Sequence, residues 1–361
     1  MKKILMYRWK AYNYKDIKYT FIKLGYEVEE VYQDLLNYDV DEAFAEKLRG
    51  MIKADVYEFF FTVNYFPLIS NVCEEQGLLY VCWSCDNPLI SLYHQSVFNS
   101  VNRIFLFDLT NVEEFKGMGA DHIYHLPLAV DTERLDYLFA NSNDLENYKN
   151  EISFVGSLYE KNSYDKLEYT LPDYLRGYFE ATMEAQKDLQ GINIIDRMLT
   201  PEILAELQEY FELEKSEDSL SDLNLIFSVT TLGFKIAEKQ RRSILIELSK
   251  HHDVSIYTNS NVRDLIRVNY RGSVDYWEEM PKVFKESKIN LNITIPNIKS
   301  GVPLRVYDIL GAGGFCISNF QAELPMYFEN EKHLVWYYNN QDLFEKVEFY
   351  KNHDTLREKY P

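Results

Sequence analysis

Apolar residues along the chain gather into short runs separated by stretches of helical spacing. Runs at Lys3–Tyr7, Val28–Tyr32, Val56–Val63, Leu78–Cys85, Arg103–Phe107 and His122–Leu126 predict strands. Between them, apolar positions recur three and four apart, as in the stretch that Gly25 breaks. Such alternation predicts a parallel sheet covered by helices on both faces, with ligands beyond the carboxyl ends of the strands. A second series opens at Glu151 with EISFVG and continues at Asp253–Tyr257, Tyr270–Val274, Ile289–Ile295, Phe315–Ser318 and His333–Tyr338. The predicted fold is therefore α/β, two doubly wound Rossmann-like domains in tandem. The expected boundaries are an N-terminal domain over 1–130, a linker over 131–150 and a C-terminal domain over 151–345. That second domain carries a helical insertion at 164–225, an acidic stretch that includes LTPEILAELQEYFELEKSEDSL. A last helix over 346–361 is expected to cross back toward the first domain.

The densest chemistry lies in Lys288–Leu324. Ile289, Leu291, Ile293 and Ile295 alternate with polar residues until Pro296 opens a loop that ends at Ser300-Gly301. Pro303 suits a first helical turn and Leu304 follows it. Val306, Ile309 and Leu310 make one apolar face, and Gly313-Gly314 stops the helix. Arg305 and Asp308 then sit one turn inside the helix. A glycine-bearing loop running into a helix N-terminus, with an arginine and a carboxylate beside it, suits a diphosphate and a ribose. The same i, i+3 pair also suits a plain surface ion pair.

Charge narrows the partners. A formal net charge of −19 argues against nucleic acid or an anionic membrane as the main partner, so local donors must hold any phosphate. The apolar run after Lys2-Lys3 is too short for a signal peptide, and no segment approaches the ~20 apolar residues of a membrane span. The expected address is the cytoplasm. Cys73, Cys82, Cys85 and Cys316 are too scattered for a disulfide framework, and the Cys82–Cys85 pair lies in an apolar strand with no second pair for zinc. No metal site is expected.

Asp86 follows the run Leu78–Val81 just past a predicted strand end. A carboxylate there suits a general base for a hydroxyl if burial raises its pKa, and it equally suits the start of the Asn87-Pro88 turn or a helix cap. His94 and His125 are further candidates. The loop Tyr7–Tyr12 after the first strand offers aromatic faces and cations that suit a sugar or a peptide.

The segment GSVDYWEEMPKVFKESKINLNITIPNIKSGVPLRVYDILGAGGFCISNFQAEL resembles GT-B glycosyltransferases, and among them the spore-maturation-protein-B-like family, which carries an extra N-terminal domain. LPLAVDTERL is similar to the text joining the two GT-B domains, and ISFVGSLYEK to the first strand and phosphate loop of the second. The resemblance spans about residues 120 to 350. It implies two domains facing across a cleft and a metal-independent transfer of a sugar from a nucleoside diphosphate sugar to a hydroxyl acceptor, with a UDP-sugar expected ahead of a GDP-sugar. No bound cofactor is implied beyond that donor. In the group with an E-x7-E signature, Asp308 falls at the second acidic position, which binds ribose, whereas Ser300 replaces the first. Gly156 and Ser157 stand where the group has glycine then arginine, so Lys161 or Arg305 would have to supply the missing cation. Arg305 would meet the diphosphate and stabilise its departure, with the helix start at Gly301, Pro303 and Leu304 beside it. Tyr257 and Tyr276 close strands that border the base. The same fold also hosts sugar-nucleotide epimerases and noncatalytic carbohydrate-binding subunits.

Overall fold

A computed structural model describes residues 2–35, 37–53 and 55–360. The backbone divides into two compact units. One is Met1–Leu128 with Glu214–Asp222, and the other is Ala129–Leu213 with Leu223–Pro361.

The first unit holds a sheet of six parallel strands, β1 (Lys2–Arg8), β2 (Tyr26–Tyr32), β3 (Tyr57–Val63), β4 (Tyr80–Trp83), β5 (Asn102–Leu106) and β6 (Ile123–His125), in the order β2-β1-β3-β4-β5-β6. In β1, Ile4, Leu5, Met6 and Tyr7 are all buried, the continuous apolar run of a strand covered on both faces. Phe60 in β3 is wholly enclosed, and its truncation to alanine would cost about 3–5 kcal/mol. Asp41 and Asp108 accept the Phe44 and Asn111 amides at the starts of their helices, each such cap contributing about 1 kcal/mol.

The second sheet comprises β7 (Asn150–Val155), β8 (Val254–Tyr257), β9 (Asn269–Tyr270), β10 (Ser287–Asn292), β11 (Cys316–Asn319) and β12 (Val335–Tyr337). All are parallel, in the order β12-β11-β10-β7-β8-β9. Counted from β7, this is the 3-2-1-4-5-6 order of a dinucleotide-binding sheet, whereas the first sheet has the 2-1-3-4-5 pattern with one strand added. The strand order reverses between β1 and β3 in one sheet and between β7 and β10 in the other.

The insertion folds as short helices around their own core of Tyr164, Leu175, Phe179, Met183, Ile195, Leu207 and Phe227. Three expectations change here. Glu214–Asp222, expected within the insertion of the second domain, forms a strap in the first unit, where Gln95 donates to the Asp218 carbonyl at 2.9 Å and Leu220 to that of Tyr93 at 2.8 Å. The expected linker 131–150 is partly helical (Thr132–Ala140) and belongs to the second unit, because its Leu135, with Val130 just before the linker, packs against Gly311. The C-terminal helix, Asn340–Lys351, does not leave the second unit. Leu343 and Val347 lie in its core, and the Tyr360 ring meets Phe315 edge-on at 4.6 Å. Pro361 lies outside the described residues.

Candidate functional site

At the end of β7 the chain turns through Gly156 and Ser157, and at the end of β10 it runs out through Ile293. A residue from a distant helix joins these two ends. Arg241, in Phe234–Leu248, donates through Nη1 to the Ser157 carbonyl at 2.6 Å and through Nη2 to the Ile293 carbonyl at 2.6 Å. It therefore sits at the strand-order reversal, the place where open α/β sheets hold ligands. Its guanidinium lies 4.9 Å from the Tyr159 ring and 5.3 Å from that of Phe154. Its Nε is enclosed and has no hydrogen-bond partner among the described residues. Burial lowers its pKa, and the nearby charge of Arg305 adds to the lowering. Among the described residues no carboxylate pairs with it, whereas its neighbour Arg242 bonds Glu238 at 3.1 Å and also Asp264. A Cβ at Gly156 would lie 3.6 Å from the Arg241 guanidinium, so glycine leaves that side of the cation uncovered.

The helix after the next loop, Leu304–Gly311, has no side chain capping its N-terminus. Pro303 is its extended cap residue rather than part of its first turn, since its φ of −69° comes with a ψ of 153°. Asp308 is buried. Tyr276 donates its hydroxyl to Oδ1 at 2.9 Å, and Arg305 lies 3.5 Å from Oδ2. Arg305 also reaches the Met280 sulfur, and its guanidinium stands 5.3 Å from the Phe284 ring. Asp308 and Arg305 are thus an ion pair set into the protein rather than on its surface. Ser300 is buried and donates to Glu323 Oε1 at 2.8 Å, while the Glu323 amide donates to the Ser300 carbonyl at 3.0 Å. Gly301 is buried beside it, and Leu304 begins the helix.

The structure brings Gly156, Ser157, Arg241 and Arg305 together, and it joins Tyr276 to Asp308. Lys161 is exposed, and the cation bonded to Ser157 is Arg241. One expected residue is turned away from the site. Tyr257 turns into the core, where its hydroxyl donates to Asn150 Oδ1 at 3.3 Å, at the opposite end of β7 from Gly156. Sequence reasoning also missed Glu323, which puts a carboxylate next to Ser300 from the loop after β11.

On the first unit, Asp86 lies just beyond β4. Asn64, itself left-handed at φ 63°, donates to Asp86 Oδ2 at 2.6 Å and accepts the Cys85 amide at 2.8 Å. The residue as a whole is exposed, yet partial desolvation of its carboxyl raises the pKa against the lowering effect of the Asn64 bond. His94 is buried and structural: its Nδ1 accepts the Ser96 amide at 3.1 Å. Trp9, in the aromatic loop, packs inward and donates to the Val63 carbonyl at 2.8 Å. The four cysteines are free, and burial pushes the Cys73, Cys82 and Cys316 thiols up. Among the described residues there is no metal-holding cluster of His, Cys, Asp and Glu, and no helix is long and apolar enough to cross a membrane.

Residues 240–360, which include Arg241, Arg305 and Asp308, match the family model described as glycosyl transferase-like. Solved glycosyltransferases superpose over nearly the whole chain. The structure of a glycosyltransferase from Rickettsia africae ESF-5 is 11% identical, with a TM-score of 0.51, covering 99% of this chain and 90% of that one. The chain has the GT-B fold. Sucrose-phosphate synthase from Thermosynechococcus elongatus shares it at 10% identity and a TM-score of 0.52, over 99% and 92% of the two chains. So does Anabaena HepE, solved in complex with UDP and glucose, at 10% identity and a TM-score of 0.51, over 99% and 93%. At these identities the GT-B likeness is one of fold alone. No curated protein matches the chain.

Proposed function

We propose that the protein is a glycosyltransferase that moves a sugar from a nucleoside diphosphate sugar, a UDP-sugar before a GDP-sugar, to a hydroxyl acceptor. Arg241 carries the reading: a half-buried cation with no acidic partner among the described residues, at the strand-order reversal, in a chain whose net charge is −19. A partly buried guanidinium without a carboxylate is costly unless an anion completes it. A diphosphate has the charge and the oxygens to do so. The glycosyl transferase-like match over residues 240–360 and the UDP and glucose held by HepE support the same donor class.

In this reading Arg241 and Arg305 flank the diphosphate, and the amides at the start of Leu304–Gly311 face its charge. As the bond from the sugar C1 to the phosphate oxygen breaks, that oxygen keeps the electron pair, and the two cations stabilise it, the electrostatic work a metal ion does in other transferases. The acceptor oxygen forms the new bond to C1 and gives up its proton. Asp308, oriented by Tyr276, takes the ribose hydroxyls, and Tyr276 lies against the base. Asp86 is the acceptor-side base, with its raised pKa bringing it closer to the working range. The finer family is the spore-maturation-protein-B-like one and the site of action the cytoplasm.

The test is calorimetric titration with UDP and GDP on the parent and on Arg241→Met and Arg305→Ala. Binding by the parent and a loss of affinity of about tenfold or more in Arg241→Met is expected. A parent that binds neither nucleotide, or an Arg241→Met protein that binds as the parent does, would overturn the assignment.

A further inference from the structure

The turn that follows β7 contains a backbone outlier. Tyr159 has a φ of 59°, in the left-handed region. A bulky side chain there crowds its own backbone, so glycine and, less often, asparagine usually hold such positions. Among the described residues only Asn64 and Glu331 also have a positive φ without being glycine, which leaves Tyr159 the one aromatic so placed. Its neighbours fix it there. The Tyr159 amide donates to Ser157 Oγ at 3.0 Å, and Asn162 donates to the Tyr159 carbonyl at 3.1 Å. Leu158, buried in the core of the second sheet, donates its amide to Ser260 Oγ at 2.9 Å. A strained conformation persists only where its surroundings over-determine it, and such places cluster at functional sites.

The contacts of the ring show what the strain achieves. It stacks on Phe234 with centres 5.1 Å apart and 21° between the planes, and the Arg241 guanidinium stands 4.9 Å from its centre. Asn162 also donates to Glu238 Oε2 at 3.0 Å, and Arg241 holds the Ser157 carbonyl at 2.6 Å. Phe234, Glu238 and Arg241 are spaced four and three apart in Phe234–Leu248, so one face of that helix grips the whole turn. With Phe154 at 5.3 Å, two aromatic rings lie close to the guanidinium. A ring steadies a cation through its quadrupole without neutralising it and without occupying an N–H. A carboxylate in the same place would cancel the charge and take the N–H groups that an incoming anion needs.

We infer that Tyr159 is the positioning residue of Arg241, held in a strained backbone so that its ring lies against the guanidinium, an inference that rests on the reading of Arg241 as the diphosphate cation. The two carbonyl bonds at Ser157 and Ile293 fix the guanidinium at its Nη ends, and the rings steady it from the side. A long flexible side chain held in both ways has little ordering left to lose when an anion arrives. Glycine or asparagine would hold the turn with less strain but would leave the cation one ring short. Tyr159 therefore acts on the nucleotide through Arg241.

The experiment is calorimetric titration of the whole chain with UDP, or with GDP if that is the nucleotide the parent binds. Tyr159→Asn suits the left-handed backbone and removes the ring, and its nucleotide affinity is expected to fall about tenfold. Tyr159→Phe keeps the ring face and is expected to bind within about twofold of the parent. Added to Arg241→Met, Tyr159→Asn is expected to change affinity by less than about twofold further, because the residue it acts through is gone. A side chain that merely supported the fold would not show that dependence on Arg241. Parent-like binding by Tyr159→Asn, an equal loss in Tyr159→Phe, or a full tenfold loss on top of Arg241→Met would overturn the inference and leave the glycosyltransferase reading standing. Thermal melts check folding. Should Tyr159→Asn not fold, Tyr159→Leu, which keeps apolar bulk beside Phe234, takes its place with the same expectations. If Arg241→Met binds too weakly to measure, the contrast between the phenylalanine and asparagine variants decides. A parent that binds neither nucleotide, or an Arg241→Met protein that binds as the parent does, would overturn the two readings together.

Discussion

The two sheets close their strand-order reversals with different chemistry. In the first, the Trp9 indole bridges from the end of β1 to the Val63 carbonyl at the end of β3, and its ring packs edge-on against Phe66 at 5.8 Å. The indole has a single donor, and that donor is spent. In the second, Arg241 bridges the ends of β7 and β10 in the same topological place, holds two carbonyls, and still carries a whole positive charge. Both side chains stitch strand ends together. Only the second leaves something for an anion to bind. The general lesson is that a shared sheet plan opens the same gap in both units, and the residue placed across it decides whether the gap is sealed or functional.

Removing Arg241 breaks the contrast most severely. Arg241→Met should lower kcat/KM for sugar transfer by about 10²–10³, the effect of losing one preorganised donor to a developing anion. Steady-state transfer assays would show it. Asp86→Asn should lower turnover by about 10² or more if Asp86 is the base. Because burial raises the Asp86 pKa, the parent's rate should fall as pH drops through that raised value and the carboxylate takes up a proton. That limb should vanish from the pH profile of Asp86→Asn. The linked stability has the opposite sense to that of a salt-bridged aspartate. The folded state holds the Asp86 proton more tightly than the unfolded chain, so its penalty is absent below the unfolded pKa and grows as pH rises through both values. Thermal melts should therefore find Asp86→Asn gaining stability relative to the parent as pH rises from acid to neutral.

Asp308→Ala should weaken nucleotide binding about tenfold in calorimetry without removing it, because Arg241 remains. Trp9→Phe sharpens the comparison from the other side. It should leave nucleotide affinity unchanged and reduce folding stability by about 1 kcal/mol, the net worth of one hydrogen bond, in denaturant titrations. A Trp9→Phe protein with impaired nucleotide binding would show that the first gap is not merely sealed.

Much of the architecture is legible in the sequence because strands buried on both faces are largely apolar, as in Ile4–Tyr7 and, but for the hydrogen-bonded Ser153, Ile152–Val155. β9 is harder to bound. Its two residues are exposed at the sheet edge, so no burial pattern marks where Asn269–Tyr270 stops. The Leu304–Gly311 helix and the Asp308 carboxylate follow from local spacing. Arg241 does not. It stands next to Arg242 in KQRRS, and nothing local separates the arginine paired with two carboxylates from the one paired, among the described residues, with none. That distinction depends on Ser157 and Ile293, which are 84 and 52 residues away. Tyr257 is illegible for a related reason. An aromatic at a strand end suits a base, but its hydroxyl finds Asn150 behind it. Glu323 likewise meets Ser300 only through the fold.

The strap Glu214–Asp222 has a practical consequence for anyone dissecting this molecule. The polypeptide changes allegiance at 128, 213 and 222, so neither lobe is encoded by an uninterrupted stretch of gene. Expressing residues 1–128 alone would strip His94 of its bridge to Ser219 and leave the Tyr93 carbonyl without the Leu220 amide. A faithful excision would need those nine residues grafted back by a designed connection.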